Sequence, residues 1–521
     1  MNHDTGQITL QIDGRQVTAA AGSTIWEAAH AAGIEIPVLC HDPRLKPAGV
    51  CRLCVVDVGE RVLAASCVRA AEDGLKVTTR SEALERQRTM LTRLLMADHP
   101  APCARQTSTA DCKLEALAAQ YGVREAAGAG AASSDSGALK DLLPSGNSRP
   151  SDLSSHVIAV DHQACILCDR CIRACDDLQS NEVIGRTGKG YTSRIAFDLN
   201  APMGTSTCVS CGECAASCPT GALTHKAQTA PLRPVHETHS VDTVCPYCGV
   251  GCALTYRVAD NRILQADGRE SPVNHGRLCV KGRYGFDYTH HAQRLTVPLI
   301  RRKECYPKGP LSRAVRGGEN GGGRRRPGGI VDDKEVLPAF REATWEEALD
   351  MVAARLSDIK KSAGAGALAG FGSAKCSNEE AYLFQKLVRA VFGTNNVDHC
   401  TRLCHASSVA ALLETIGSGA VTNTFADVAR AEVALITGSN TTSNHPVAAT
   451  FIKEAVKNGT RLILVDPRRP DLHTFAAPLG GDAGGTPGRR LIGDELHRVR
   501  IRRLEIGHAD QVILVEHELP D

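Results

Sequence analysis

The chain has 521 residues, enough for three or four ordinary domains. Sixty Lys and Arg against 58 Asp and Glu leave a formal net charge of +2, which excludes bulk charge as a reason to bind nucleic acid or an anionic membrane. No apolar run approaches the roughly 18 residues of a membrane span, and the polar start has neither an apolar signal core nor an Arg pair, so a cytoplasmic location is expected.

Twenty-two cysteines are present. Without an export signal, disulfides are a poor expectation. Eighteen of the 22 fall in five short-spaced groups, a pattern that reads as metal ligation.

Residues 1–78 open with alternating Ile8, Leu10 and Ile12, then Asp13-Gly14, a strand and its hairpin turn. Residues 24–27 form a capping box for a short helix that ends at Gly33, and residues 53–58 and 75–79 read as further strands. Cys40, Cys51, Cys54 and Cys67 are spaced C-x10-C-x2-C-x12-C. That is not the plant-type spacing, yet it places four thiolates around a small cluster. A β-grasp ferredoxin with [2Fe–2S] fits; four scattered buried cysteines are the competing reading.

Residues 79–122 carry a helix with apolar Leu84, Leu91, Leu94 and Leu95, then His99, Cys103 and Cys112. Residues 123–155, rich in Ala, Gly, Ser and Pro, read as a linker or surface loop.

Residues 156–228 hold the most specific signal. Cys165, Cys168, Cys171 and Cys175 read C-x2-C-x2-C-x3-C, and Cys208, Cys211, Cys214 and Cys218 repeat it before Pro219. In this two-cluster ferredoxin pattern the fourth Cys of each run ligates the other [4Fe–4S] cube. The expected sets are Cys165, Cys168, Cys171 with Cys218, and Cys208, Cys211, Cys214 with Cys175. Asp176 stands where the second run has Pro219. Structural zinc is the alternative, but zinc favours Cys pairs.

In residues 240–300, Cys245, Cys248, Cys252 and the remote Cys279 make one further [4Fe–4S] site, with zinc again the competing reading. Residues 253–263 alternate like a hairpin that returns the fourth ligand. Residues 305–330 turn Gly/Arg-rich, and their basic run, 316–329, reads as a solvated loop ahead of a phosphate contact.

Residues 301–479 alternate helix and strand. Residues 344–347 and 377–380 cap helices reaching about 356 and 392. Residues 367–371, 433–437 and 462–465 read as strands, and 447–457 as a helix. Strand, polar turn and helix in repetition predict a parallel doubly wound sheet with ligands at the carboxyl ends of its strands. The tail, 480–521, is Gly-rich, then basic, then strand-like at 512–515, and leaves that rhythm.

Several motifs now fall together: CPYCGVGC at 245–252 with CVKG at 279–282, GSAKCSNEEAYLFQKL at 372–387, GTNNVDHCTRLCH at 393–405 and GSNTTSNHPVAAT at 438–450. With the order of iron–sulfur units, they resemble the catalytic α subunit of cytoplasmic NAD-dependent molybdenum or tungsten formate dehydrogenases over roughly residues 1–475. The N-terminal region resembles the large iron–sulfur subunit of complex I. The resemblance implies the following. A bis-molybdopterin guanine dinucleotide holds Mo or W. Cys404 ligates that metal, His405 is the catalytic histidine beside it, and Lys281 lies between the nearest cube and the pterin. Lys375, Asn378 and Glu379 lie in the cofactor loop, and Gly438, Ser439, Asn440, Asp466 and Arg468 contact the guanine dinucleotide. Cys376, the nearest rival ligand, and Cys305 and Cys400 are ordinary small residues.

The resemblance further implies oxidation of formate to CO2, with electrons leaving through the clusters to a flavin- and NAD-binding diaphorase subunit and a small iron–sulfur subunit, in a hetero-oligomer. His99, Cys103 and Cys112 resemble a one-His, three-Cys cluster, but Gln106 occupies the middle Cys position. Two readings therefore stay open there: a further [4Fe–4S] with an unidentified fourth ligand, or no cluster. The family's substrate-orienting Arg and C-terminal cofactor domain would lie beyond residue 521, which predicts a truncated or frame-shifted product. The alternatives are a non-catalytic electron-transfer subunit of a complex I-like or hydrogenase assembly, and an inert fragment.

Overall fold

The computed structural model describes residues 6–123, 149–305, 336–466 and 468–476, with the backbone of 500–503 and 513–516. Residues 124–148 of the linker expected at 123–155, the Gly/Arg-rich run from 306 on and most of the tail fall outside these residues. Two compact units form: Met1–Asp287 with Asn423–Asp521, and Tyr288–Thr422. The region expected at 301–479 is thus divided between them.

The first unit begins as a β-grasp. Strand Gln7–Ile12 pairs antiparallel with Arg15–Ala20 and parallel with Lys76–Val77. Asp13 and Gly14 both take positive φ, 49° and 79°, as a two-residue hairpin turn of this twist requires. Helix Ile25–Ala31 is held by the reciprocal Thr24–Glu27 capping box and packs Ile25, Ala28 and Ala29 on Leu10, Ile12 and Val17. The later strands are shorter than the sequence predicts: they reduce to Val55–Val56 and Lys76–Val77, with one isolated bridge between Asp57 and Thr78. The chain must curl at Cys51–Cys54 to bring thiols to one side, with Arg52 at φ 60°, and that breaks the ladder. The carbonyls of Leu53 and Val55 are satisfied instead by buried Arg88 of helix Glu82–Met96. On that helix Leu84 is buried, but Leu94 faces solvent, contrary to expectation.

The cysteine runs of the middle region share one local design. Helix Arg170–Arg173 follows Asp169 at φ 59°, and helix Glu213–Ser217 follows Gly212 at φ 73°. Left-handed residues there turn the chain sharply between the ligand loop and the helix. Ile158–Val160 pairs with Leu223–His225, and Ile184–Thr187 with Arg194–Phe197, so the ends of the repeat close on each other. A three-stranded antiparallel sheet follows, His239–Val244, Ala253–Ala259 and Arg262–Gly268. Its hairpin is the one expected; its first strand is not legible in the sequence. Helix Val280–Tyr284 starts directly after Cys279.

The first unit also holds strand Val433–Thr437, helix Pro446–Lys457 and strand Arg461–Val465, the strands parallel with Thr437 opposite Val465. In the second unit Gly370–Gly372 and Val397–His399 are likewise parallel. They are connected by helix Asn378–Lys386, which widens into a π-helical turn over Leu387–Phe392. Parallel pairs joined through helices are the parallel α/β geometry the sequence predicts. Helix Trp345–Ala363 outruns its expected end, and its capping box is only half made: Thr344 accepts from the Glu347 amide, while the Glu347 carboxylate pairs with Arg341. In the tail, Arg500–Arg503 and Ile513–Glu516 form an antiparallel pair. Among the described residues no helix is long and apolar enough to cross a membrane.

Candidate iron–sulfur and pterin sites

The four N-terminal cysteines converge. Cys54 Sγ lies 3.3 Å from Cys67 Sγ, and the Cys51 amide donates to Cys40 Sγ at 3.4 Å. Thiols from Cys51 and Cys67 donate to Cys40 and pull it down to about 2, and Cys67 pulls Cys54 to about 7. The donors, Cys51 and Cys67, are pushed up in exchange. Thiols this crowded share protons; an iron core would take the place of those protons and let all four ionise.

In the middle region a small cavity is lined by Cys165, Cys168 and Cys171 from the first run and Cys218 from the second, with Leu167, Ile195 and Thr220. This is the expected crossed set, gathered around a space. Burial pushes Cys165 up to about 11 and Cys168 to about 12, and Cys171 well up. Burial likewise drives up Cys208, Cys211 and Cys214, and the next influences on Cys214 are Cys211, Cys208 and Cys175. Burial raises Cys175 as well, with Cys208 among its neighbours. The second crossed set is therefore together too. Thiolates in such dry surroundings need a cation beside them, which is what a cluster provides.

Cys245, Cys248, Cys252 and Cys279 also meet. Burial takes Cys252 to about 12, with Cys245, Cys279 and Cys248 each adding to the rise. The Cys245 amide donates to the Cys252 carbonyl at 2.9 Å. Buried Asn274 bonds both Ala253 and the Arg277 carbonyl, which fixes the return of the chain to Cys279.

Between these loops runs a charge network that the sequence reading missed. Glu213, between Cys211 and Cys214, accepts from Arg44 at 2.6 Å and Arg283 at 2.7 Å. Asp42, two residues after Cys40, pairs with Arg44 and with Arg170 at 2.7 Å. Arg173 donates to the Cys40 carbonyl, and Arg283 to the Cys211 carbonyl. Burial alone would raise Asp42, but Arg44 and Arg170 hold it at about 2. The network ties the Cys40 loop to the first cysteine run, and the second run to the helix behind Cys279. A charged residue inside a cysteine run was the available signal.

His99, Cys103 and Cys112 come together with a fourth group not anticipated, Glu115. Helix Lys113–Gln120 carries it in its first turn. Its carboxylate accepts from the Cys103 amide at 2.9 Å and lies 3.4 Å from His99 Nε2.

The residues expected at the pterin sort by unit. In the first, Gly438-Ser439-Asn440 follows strand Val433–Thr437 and Asp466 follows Arg461–Val465, so both turns lie at the carboxyl edge of one parallel pair. Gly438 takes φ +63° and donates to the Val465 carbonyl; Asp466 accepts from the Arg468 amide at 2.8 Å. Such an edge is where α/β sheets bind nucleotides. Exposed Lys281 donates to the Ser443 carbonyl at 3.3 Å, which sets an ammonium between the Cys279 loop and this edge. In the second unit Lys375 follows strand Gly370–Gly372, and Asn378 and Glu379 open the next helix. Cys404 and His405 follow strand Val397–His399 through the short helix Thr401–Cys404. The Ala374 amide donates to Cys400 Sγ at 3.4 Å, so these two segments share the carboxyl edge of their own parallel pair. Cys404 is exposed.

Residues 5–82 match the 2Fe-2S iron-sulfur cluster binding domain, and 164–223 the 4Fe-4S dicluster domain. Residues 238–291 match the molybdopterin oxidoreductase Fe4S4 domain, and 294–484 the molybdopterin oxidoreductase family. A Bacillus subtilis (strain 168) protein named provisionally as an oxidoreductase is 30% identical over 514 residues, covering 90% of this chain and 46% of its own length. The NADPH-Fe(3+) oxidoreductase subunit alpha of Geobacter sulfurreducens (strain DL-1 / KN400) is 31% identical over 472 residues, 90% of this chain and 49% of that one. A second protein of that Bacillus subtilis strain, named provisionally as a formate dehydrogenase, is 30% identical over 509 residues, 90% and 47% respectively. The chain spans about half the length of the curated relatives it matches.

Proposed function

Taking residues 238–484 as molybdopterin oxidoreductase sequence set behind 2Fe-2S and 4Fe-4S domains, we propose that the chain belongs to the catalytic side of an NAD-linked formate dehydrogenase. The observation that carries this reading is the pairing of two carboxyl edges bearing the expected pterin residues with four converging cysteine sets. When bound, a bis-molybdopterin guanine dinucleotide with Mo or W supplies the two-electron acceptor for HCOO− going to CO2 and H+, and the clusters supply one-electron carriage away from it.

The chain's own residues have distinct tasks in this reading. Cys404 offers a soft thiolate to the metal. His405 accepts the substrate proton. Asn378, Glu379 and the Lys375 loop hold the pterin, and Gly438, Ser439, Asn440, Asp466 and Arg468 hold the nucleotide, where amides at the edge of a parallel pair suit phosphate. Lys281 sets a positive charge between the nucleotide edge and the nearest cube. The arginine–carboxylate network braces the helix behind Cys279 on the second run and the Cys40 loop on both runs, and the proposed order runs from Cys245–Cys279 across the two runs to the Cys40 loop. Electrons leave by that order to a separate flavin- and NAD-binding subunit.

Anaerobically produced full chain, supplied with molybdate or tungstate, is assayed for formate-dependent dye reduction. Turnover that disappears in Cys404→Ser supports the proposal. Bound iron with neither Mo nor W and no turnover favours the alternative, an electron-transfer subunit of a complex I-like or hydrogenase assembly.

A further inference from the structure

We propose that His99, Cys103, Cys112 and Glu115 bind a single zinc ion, not an iron–sulfur cube. Their four ligand atoms all lie within 4.8 Å of one another. His99 Nε2 is 3.7 Å from Cys112 Sγ and 3.4 Å from Glu115 Oε1. Ligand atoms at the corners of a tetrahedron around one zinc stand about 3.3–3.8 Å apart, given bonds of about 2.0–2.3 Å. Thiolates on a [4Fe–4S] cube stand about 6 Å apart, because each is carried outward on its own iron corner. Both His99 distances fall in the range of one ion, and the 4.8 Å limit on the whole set is well short of a cube's spacing.

The fourth ligand of a cube is also missing. Gln106 stands in the middle cysteine position, and its Oε1 accepts from the Cys112 amide at 3.3 Å, so it braces the loop. Glu115, three residues and nearly one helical turn after Cys112, fills the vacant corner. The set is closed as structural zinc sites are: both cysteines are 1% exposed, and the side chains of His99 and Glu115 are 1% and 11% exposed. Two thiolates, one carboxylate and a neutral imidazole around Zn2+ leave a net charge of −1, smaller in size than a zinc site of four thiolates carries.

The ion would act as a staple. The Lys113 amide donates to the Pro219 carbonyl at 2.9 Å, and Arg105 donates to Thr220 and Ala215 carbonyls. A Cβ on Gly221 would come within 2.9 Å of Cys103 Sγ. One ion therefore locks the 99–115 segment against the loop that delivers Cys218.

The test is zinc and iron content with zinc K-edge EXAFS on anaerobically purified full chain. One zinc per chain is expected, with two sulfurs at about 2.3 Å and two N/O ligands at about 2.0–2.1 Å. Cys112→Ser and Glu115→Gln are expected to lose most of that zinc while iron stays unchanged. The proposal is overturned by a zinc-free chain, by a zinc shell without two sulfurs, or by Cys112→Ser losing about four irons, one cube's worth. The EXAFS reading uses unmutated protein, so misfolding of a variant leaves the proposal testable. Its failure would leave formate turnover untouched, and loss of turnover would leave the zinc reading untouched.

Discussion

Residues 6–287 and residues 288–422 differ in what they bury. The first stretch encloses Leu10, Ile12, Leu53, Ile158, Ile195 and Leu223 at 2% exposure or less; in the second, Leu368 and Val388 are the buried apolar side chains among the described residues. There Trp345, Phe371 and Leu403 are 67%, 80% and 97% exposed. The contrast follows the chemistry asked of each. Cluster ligands must be dry and held to a fraction of an ångström, so the first stretch surrounds them with core and buried ion pairs. The proposed metal and pterin residues of the second stretch must remain reachable, and they stand on an open edge.

The largest effects should separate the two stretches outright. Cys171→Ser should remove one cube, about four irons per chain. Cys404→Ser should leave iron unchanged while formate turnover vanishes. Equal iron loss in both variants would erase the distinction. Next, Glu213→Ala leaves Arg283, 2% exposed by its side chain, without its close carboxylate and with only the longer 3.8 Å contact to Asp267. The expected cost is about 3–5 kcal/mol in the unfolding of residues 6–287, read by denaturant titration followed through cluster absorbance. A cost below about 1 kcal/mol, the range of exposed ion pairs, would show that the network does not hold the cluster loops.

Acid should act on the first stretch in the same sense. Burial, then Arg283, depresses His225 from 6.5 to about 3. Its folded value lies below its unfolded one, so the unfolded chain takes the proton first. Stability is full above pH 6.5 and declines as pH falls toward about 3. Asp42, at about 2 in the folded chain against 3.8, adds stability present above pH 3.8 that is lost as pH falls through about 2. Denaturation midpoints at pH 7 and 5 should fall in the parent and fall less in His225→Phe; parallel slopes would remove His225 from the account. The smallest contrast is in packing. Leu223→Ala, fully buried, should cost about 2–5 kcal/mol, whereas Leu349→Ala, 60% exposed, should stay within about 0.5 kcal/mol. Thermal unfolding of both variants checks the pair.

Cysteine spacing made the cluster regions legible because ligands three residues apart meet through local turns. The crossed partners Cys218 and Cys175 come from the opposite run, so they were legible through the two-cluster ferredoxin pattern and not through a local turn. The hairpin at Asp13-Gly14 and the caps at Thr24 and Ser377 were legible for a similar reason: each is closed by residues within one turn of chain. Glu115 was not, because an acidic residue in the first turn of a helix already has an ordinary explanation in the helix dipole. Neither was the Asp42–Arg170 or Glu213–Arg283 pairing, since partners 128 and 70 residues apart meet only after the cores form. The short strands around Cys51–Cys54 were overestimated because β-propensity takes no account of a ligand loop that must curl.

Iron and acid-labile sulfide, counted on anaerobically purified chain, test the central claim most directly. One [2Fe–2S] and three [4Fe–4S] clusters predict about 14 irons with matching sulfide in a brown protein. A colourless, correctly folded chain free of iron would contradict it.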